Sequence, residues 1–158
     1  MRRALRRKVV DPLRAQLTQG VTPGRLAAAL ALGLSVGTLP VLGTTTLLCA
    51  LLAAALRLNQ PAIQVANYLA YPLQLLLLIP FFEAGAWLFG RPPVDLTLVG
   101  LQAELAADPT GTLIRYLGVT ARALAAWGLV APLAAALLFV ALRPLLVRMT
   151  RQSAPASR

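Results

Sequence analysis

The sequence feature that most constrains the fold is a run of 31 residues without a charged side chain, residues 26–56. A helix needs about 20 apolar residues to cross a bilayer, so the run is too long for one upright span and too short for two. Its centre holds residue types that interrupt helices and offer hydroxyl groups: Gly37, Pro40, Gly43, Thr44, Thr45 and Thr46. We therefore expect a broken helix over residues 26–57, with half-helices at roughly 26–37 and 45–57.

The composition is that of a membrane protein, because 58% of the residues are hydrophobic and only 13% are charged. The net charge is +10, and the cations are concentrated near the two ends of the chain. This distribution indicates anionic lipid head groups, rather than nucleic acid, as the partner. Histidine is absent and Cys49 is the single cysteine, so we expect no catalytic residues, no metal and no cofactor.

Two basic segments flank a membrane domain predicted over residues 23–142. Residues 1–22 combine arginines with apolar residues at every fourth position, which predicts an amphipathic helix at the membrane interface. Residues 143–158 form a second basic segment, which we expect to be a cytoplasmic tail.

A second apolar segment, residues 61–90, also contains polar residues and a proline, which predicts a second broken helix. The interrupting residues are Gln64, Asn67, Tyr68, Tyr71, Pro72 and Gln74. A repeated break is typical of transporters. The junction before this segment has a cation at a helix end, a capping amide and a proline in the first turn of the next helix: Arg57, Asn59 and Pro61.

The remaining membrane domain is predicted as an external loop, residues 91–115, followed by a transmembrane helix, residues 116–142. Leucines at 98, 101 and 105 indicate a short surface helix that ends at Asp108. The expected fold is an all-α membrane protein, a small helical bundle of these elements. Lysine and arginine counts place both termini of this multi-pass protein in the cytoplasm. The first broken segment then either re-enters on the cytoplasmic side or crosses twice as short helices.

The first candidate site is the break itself, because a half-helix that begins near Thr44 directs unpaired amides into the membrane interior. Such a helix end attracts anions, and the threonine hydroxyls add donors for a phosphate or carboxylate head group. The structural alternative is that these hydroxyls only satisfy the interrupted backbone. The sequence leaves both interpretations open.

Two further candidates lie in the later segments. Gln64, Asn67, Tyr71 and Gln74 could share one face, either as interhelical hydrogen-bonding groups or as the wall of a cavity completed by the first break. Glu83 and Arg122 are ionisable residues at comparable depth, about 10 Å from the outer boundary at about 1.5 Å per residue. They could form an intramembrane charge pair, or each could reach the interface separately.

Three groups of residues resemble a bacterial membrane domain, domain-of-unknown-function family 2062. They are Gly37-x-x-Pro40-x-x-Gly43-x-Thr45-Thr46, Leu56-Arg57-x-Asn59-x-Pro61-Ala62 and Asn67-x4-Pro72, and the similarity covers roughly residues 20–142. Many members have proline directly after the second-break asparagine, where Tyr68 stands here. The resemblance implies an inner-membrane protein and supplies no activity. Some relatives are joined to glycosyltransferase domains, which suggests lipid-carrier or envelope chemistry.

Two functional hypotheses follow. The first is a protein that binds or translocates an anionic amphiphile, such as a phospholipid or a polyprenyl phosphate, at the paired breaks. The second is a membrane scaffold or assembly protein whose polar breaks only permit close helix packing. Under either hypothesis we expect a homo-oligomer or a partner membrane protein, since so few crossings enclose no path alone.

Overall fold

The computed structural model describes residues 22–92 and 97–152, and every regular element in these ranges is an α-helix. The helices are α1 (Pro23–Val36), α2 (Thr45–Ala55), α3 (Gln60–Leu88), α4 (Leu98–Ala107) and α5 (Pro109–Gln152). The all-α prediction is therefore confirmed. The amphipathic helix predicted before Thr22 and the end of the tail, beyond Gln152, lie outside the described residues.

The first apolar run is interrupted at the predicted place. Helix α1 begins after Thr22, whose hydroxyl accepts a hydrogen bond from the amide of Arg25 at 3.4 Å. At its other end the backbone tightens, with the amide of Leu39 bonded to the carbonyl oxygen of Val36 at 3.0 Å. Pro40 has no amide to continue the helix, and Gly43 adopts φ +84°, which turns the chain into α2.

Helices α1 and α2 form a hairpin that lies along the first half of α3. Helix α1 runs parallel to α3 in close contact: a Cβ added to Gly37 would lie 2.6 Å from the Cβ of Ala70. Helix α2 runs the opposite way, since Thr46 contacts Asn67 whereas Ala50 contacts Gln60, nearer the start of α3. The hairpin therefore turns back near the middle of the 29-residue α3.

The second apolar segment differs from its prediction, because α3 is one continuous helix that contains Pro72 and Pro80. The polar residues that suggested a break have partners outside their own helix. Gln64 donates to the carbonyl oxygen of Thr46 at 3.0 Å, and Gln74 donates to that of Leu39 at 2.7 Å. Gln74 therefore satisfies a carbonyl oxygen of the α1–α2 turn and Gln64 contacts the first turn of α2, so these polar side chains serve the first break instead of marking a second one.

The connection between the second and third apolar segments contains the predicted surface helix, now α4. Thr97 caps it by accepting a hydrogen bond from the amide of Gly100 at 3.2 Å, and Asp108 follows its last residue. Helix α5 differs from the range predicted, residues 116–142: it begins at Pro109 and continues to Gln152. Proline is favourable in a first helical turn, and Arg115 ties the added turns to α4 through an ion pair with Glu104 at 2.6 Å.

Among the residues that the structure describes, two helices, α3 and α5, are long and apolar enough to cross a membrane. Their most apolar stretches are only 28% and 17% buried within the structure, so most of that apolar surface faces outward. Outward-facing apolar helices are typical of chains surrounded by lipid. Helix α1 packs against both of them, which places the hairpin beside the two candidate spans.

Candidate functional site

A cavity of about 290 Å³ lies between the α1–α2 turn, the first turn of α2 and the middle of α3. Its lining residues are Gly43, Thr45, Thr46, Asn67, Tyr68, Tyr71 and Gln74. Thus the fold brings the first break and the polar face of α3 together, in the arrangement that the cavity interpretation of the sequence requires. Tyr68 is the lining residue that was not singled out as a site residue.

Asn67 is the most enclosed polar group on this wall apart from Gln74, with only 4% of its surface exposed. Its amide nitrogen lies 3.4 Å from the hydroxyl oxygen of Thr46, a long hydrogen bond, and its amide oxygen is buried with no hydrogen-bond partner in the protein. A buried amide oxygen left unpaired costs about 1–3 kcal/mol. The side chain therefore keeps hydrogen-bonding capacity that the fold itself does not use.

The first turn of α2 forms the opposite wall. Thr44 occupies the N-cap position, but its side chain makes no capping hydrogen bond. Its hydroxyl instead donates to the carbonyl oxygen of Val41 at 3.1 Å. Because this side chain points back into the turn, it does not cap α2. The N-terminus of α2, with its first-turn amides and the positive end of the helix dipole, is therefore left uncapped beside Thr45 and Thr46.

Two long-range hydrogen bonds hold the turn that shapes the cavity. Gln74, 1% exposed, donates to the carbonyl oxygen of Leu39 at 2.7 Å. From α5, the indole of Trp127 donates to the hydroxyl of Thr38 at 3.2 Å, and this hydroxyl donates to the carbonyl oxygen of Ser35 at 2.7 Å. Sequence reasoning missed Trp127, although a tryptophan in an apolar span signals that its N–H needs a partner.

Replacing Gln74 by leucine is expected to lower the free energy of unfolding by about 1–3 kcal/mol, because the carbonyl oxygen of Leu39 loses its buried partner. The measurement is thermal unfolding of the purified protein in mild detergent. Gln60→Leu is the matched control, since Gln60 makes the same kind of bond to Ala50 at 2.9 Å in an exposed position. Equal effects of the two changes would contradict the assigned role of Gln74.

Three residues of the predicted break lie outside the cavity lining, and each has a place in the packing or the turn. Gly37 provides the close approach of α1 to α3. Pro40 is buried within the turn, and Thr44 is exposed beside it. Some of the hydroxyls do satisfy interrupted backbone, as the structural alternative expects, since Thr38 and Thr44 bond to carbonyl oxygens of the turn.

The junction residues lie at the far end of the hairpin, at the start of α3. Arg57 adopts a left-handed conformation, φ 52°, after the last turn of α2. The side chain of Asn59 then accepts a hydrogen bond from the amide of Ala62 at 2.8 Å and caps α3, with Pro61 in the first turn. These residues connect the two helices and do not line the cavity.

Glu83 and Arg122 do not form an ion pair with each other, which was one of the two arrangements that the sequence left open. Within the described residues the ion pair is Arg115 with Glu104, and neither Glu83 nor Arg122 takes part in one. The residue of α3 that faces Arg122 is Gly85, whose added Cβ would lie 2.6 Å from the carbonyl carbon of Arg122. Glu83 is two positions earlier, about 200° around the helix, so its side chain lies on the exposed face of α3, away from α5.

Comparison with known proteins gives a family and no activity. Among the described residues, no three potential metal ligands lie together. No curated protein and no solved structure matches the sequence. The profile of a family described as "Uncharacterized protein conserved in bacteria (DUF2062)" matches residues 2–154, a longer range than the residues 20–142 over which the resemblance is apparent. Since this match covers nearly the whole chain, the protein belongs to the bacterial DUF2062 family.

Proposed function

We propose that this protein is a multi-pass protein of the bacterial inner membrane that binds the phosphate head group of an anionic amphiphile. The proposed binding site is the cavity between α2 and α3. The observation that carries the proposal is the buried, incompletely paired amide of Asn67 in the wall of this cavity, opposite the uncapped first turn of α2.

Phosphate is the favoured ligand chemistry because the lining is rich in hydrogen-bond donors and contains no carboxylate. The donors are the first-turn amides of α2 and the hydroxyls of Thr45, Thr46, Tyr68 and Tyr71. Asn67 joins them only when its amide turns over, which frees the nitrogen for phosphate and lets the amide oxygen accept a hydrogen bond from the hydroxyl of Thr46. Helix N-termini bind phosphate through neutral donors of this kind. We propose a binding protein, not an enzyme, since no lining residue can act as a general base near neutral pH.

An amphiphile fits better than a fully water-soluble ligand for two reasons. The cavity is at the small end of the range for ligand pockets, about 300–1,000 Å³, so it accommodates a head group but not acyl chains. Two leucines that directly follow cavity-lining residues are exposed, Leu47 at 66% and Leu75 at 48%. In a membrane these side chains would contact lipid, which leaves space for the hydrocarbon part of the ligand next to the cavity.

The proposed membrane arrangement follows from the helix lengths. At about 1.5 Å per residue, α1 and α2 measure about 21 and 16 Å, less than the hydrocarbon core of about 30 Å. We therefore infer that the hairpin re-enters from the cytoplasmic side, while α3 and α5 cross the bilayer and leave both termini in the cytoplasm. The turn then lies near mid-membrane, where transporters also place half-helix ends against anionic substrates.

The test is lipid retention measured by native mass spectrometry of the purified protein. The probes are phosphatidylglycerol, undecaprenyl phosphate, diacylglycerol and inorganic phosphate. We expect the two phosphate lipids to bind, diacylglycerol to bind at least about 10-fold more weakly, and Thr46→Val or Asn67→Leu to reduce phosphate-lipid affinity by about 10- to 100-fold. Thr44→Val is the matched control, because this hydroxyl is outside the cavity lining and should leave binding unchanged.

Equal retention of diacylglycerol and phosphatidylglycerol, or wild-type affinity in both cavity variants, would overturn the proposal. Thr46→Val is nearly isosteric, so it keeps the test informative if Asn67→Leu fails to fold. A homogeneous protein that retains no lipid and instead co-purifies with a membrane protein would favour the scaffold hypothesis.

A further inference from the structure

Two charged residues of the candidate spans lie at the same level of the structure. Gly85 of α3 contacts the backbone of α5 at Arg122 and Ala123, with an added Cβ 2.6 and 2.7 Å from their atoms. Glu83 is two residues from Gly85, a displacement of about 3 Å along the helix axis. If α3 and α5 cross the membrane, as proposed above, Glu83 and Arg122 therefore share one depth within it.

Their side chains nevertheless do not meet within the chain. Glu83 is exposed on the outer side of α3, whereas Arg122 is half-buried on α5. The guanidinium of Arg122 extends along its own helix, where Nη1 would lie 3.8 Å from a Cβ added to Gly118. An unpaired charge among lipid tails is costly, and such residues are usually found paired. Neither charge forms an ion pair within the described residues, so a paired partner at this depth has to come from another chain.

The surface that carries Glu83 has the form of a helix-packing seam. Exposed residues recur along α3 at alternating spacings of four and three: Leu69, Leu73, Leu76, Pro80, Glu83 and Trp87. This is the spacing by which one helix packs lengthwise on another. Leu76 and Trp87, on either side of the carboxylate, are 73% and 82% exposed. The seam is apolar except at the one position where it presents a negative charge.

We propose that this outer face of α3 packs against α5 of a second copy of the chain, with Glu83 of one copy paired to Arg122 of the other. Copies inserted in the same orientation are related by rotation about the membrane normal, which preserves depth. The two residues are therefore matched in depth between copies, whatever the number of subunits. The charges are complementary, and the chain itself supplies both. The inference rests on the proposed membrane insertion but not on the lipid site.

The first experiment is a charge-reversal cycle, with oligomer size measured by native mass spectrometry and light scattering in detergent. Glu83→Arg and Arg122→Glu should each dissociate the oligomer, raising the dissociation constant about 10- to 100-fold, and the double variant should restore most of the affinity. Extraction of membranes with alkaline carbonate shows that each variant is inserted. An oligomer indifferent to both reversals, or a monomeric wild-type protein, would overturn the proposal.

The second experiment maps the contact without altering either charge. In a Cys49→Ala background, one tagged chain carries Leu76→Cys and another carries Leu129→Cys. Leu76 is seven residues before Glu83 and Leu129 is seven residues after Arg122. Because α3 and α5 would cross the membrane in opposite directions, the two cysteines then lie at one depth. A short bismaleimide should link the two differently tagged chains. Leu117→Cys, also exposed but about 18 Å from the level of Leu129, is the control and should not react with Leu76→Cys. Linkage only between two copies of Leu76→Cys would show a different interface and contradict the assignment.

The lipid site and the interface can fail independently. Charge reversal should leave phosphatidylglycerol retention by the inserted protein unchanged, because neither charge lines the cavity. Conversely, Thr46→Val should leave oligomer size unchanged. A variant that lost both properties together would contradict the separation of the two surfaces.

Discussion

Replacing Gly33 by leucine is expected to prevent α1 from packing on α3 and to leave little folded protein. An added Cβ would overlap the carbonyl oxygen of Ile63 and lie 2.7 Å from the Cβ of Ala66. Relief would require the helix backbones to separate along the contact that buries Ala29 and Ala62. Overpacking of this kind costs about 3 kcal/mol or more, a large part of a typical stability of about 5–15 kcal/mol.

The measurement is the yield and thermal unfolding temperature of detergent-purified protein. Gly24→Leu is the matched control, because it changes the same residue type in the same helix with no atom within 4 Å of the added Cβ. We expect that control to unfold within a few degrees of wild type. A Gly33→Leu protein with unchanged yield and unfolding temperature would mean that α1 does not contact α3 at this point.

Replacing Gly85 by leucine is expected to have a comparable effect at the other end of the molecule. There the added Cβ would lie 2.6 Å from the carbonyl carbon of Arg122 and 2.7 Å from the amide nitrogen of Ala123, so the obstruction is a backbone peptide group of α5. Neither group can move without displacing α5. We expect a loss of about 3 kcal/mol or more in the free energy of unfolding.

Limited proteolysis complements the thermal measurement, because separation of α3 from α5 should make these two helices more susceptible to cleavage. Gly128→Leu on α5 is the control, since nothing lies within 4 Å of its added Cβ. If Gly85→Leu and Gly128→Leu behaved alike in both measurements, the close packing of α3 on α5 at Gly85 would be refuted.

Much of the secondary structure could be predicted because it depends on neighbouring residues. Pro40 and Gly43 interrupt the first apolar run through backbone restrictions that are local. Asn59 and Thr97 are capping side chains next to the helices they start, and Asp108 ends α4 before a proline. These signals act within a few residues, so the helix positions between 22 and 107 could be derived closely, except in the second apolar segment.

The sequence predicts a second break from residue types alone, because the partners of these residues lie far away in the chain. Gln64, Asn67 and Gln74 resemble the polar residues of an interrupted helix, but they contact the α1–α2 turn and the first turn of α2, across 18 to 35 residues of sequence. Pro72 and Pro80 are tolerated within α3 because a proline removes one backbone bond without ending a long packed helix. Composition alone cannot distinguish a helix that breaks from a helix that supports a break elsewhere.

The candidate site and the charge pair also depend both on local sequence pattern and on contacts between distant helices. The sequence by itself determined the helical class, the interrupted first run, the polar face of α3 and the presence of two charges within apolar segments, because each of these depends on local composition and spacing. Only the tertiary structure decided that the break and the polar face enclose one cavity, and that Gly85 rather than Glu83 faces Arg122. Those outcomes depend on the rotation of each helix about its axis, which is set by the close contacts of glycine and alanine surfaces between helices distant in sequence.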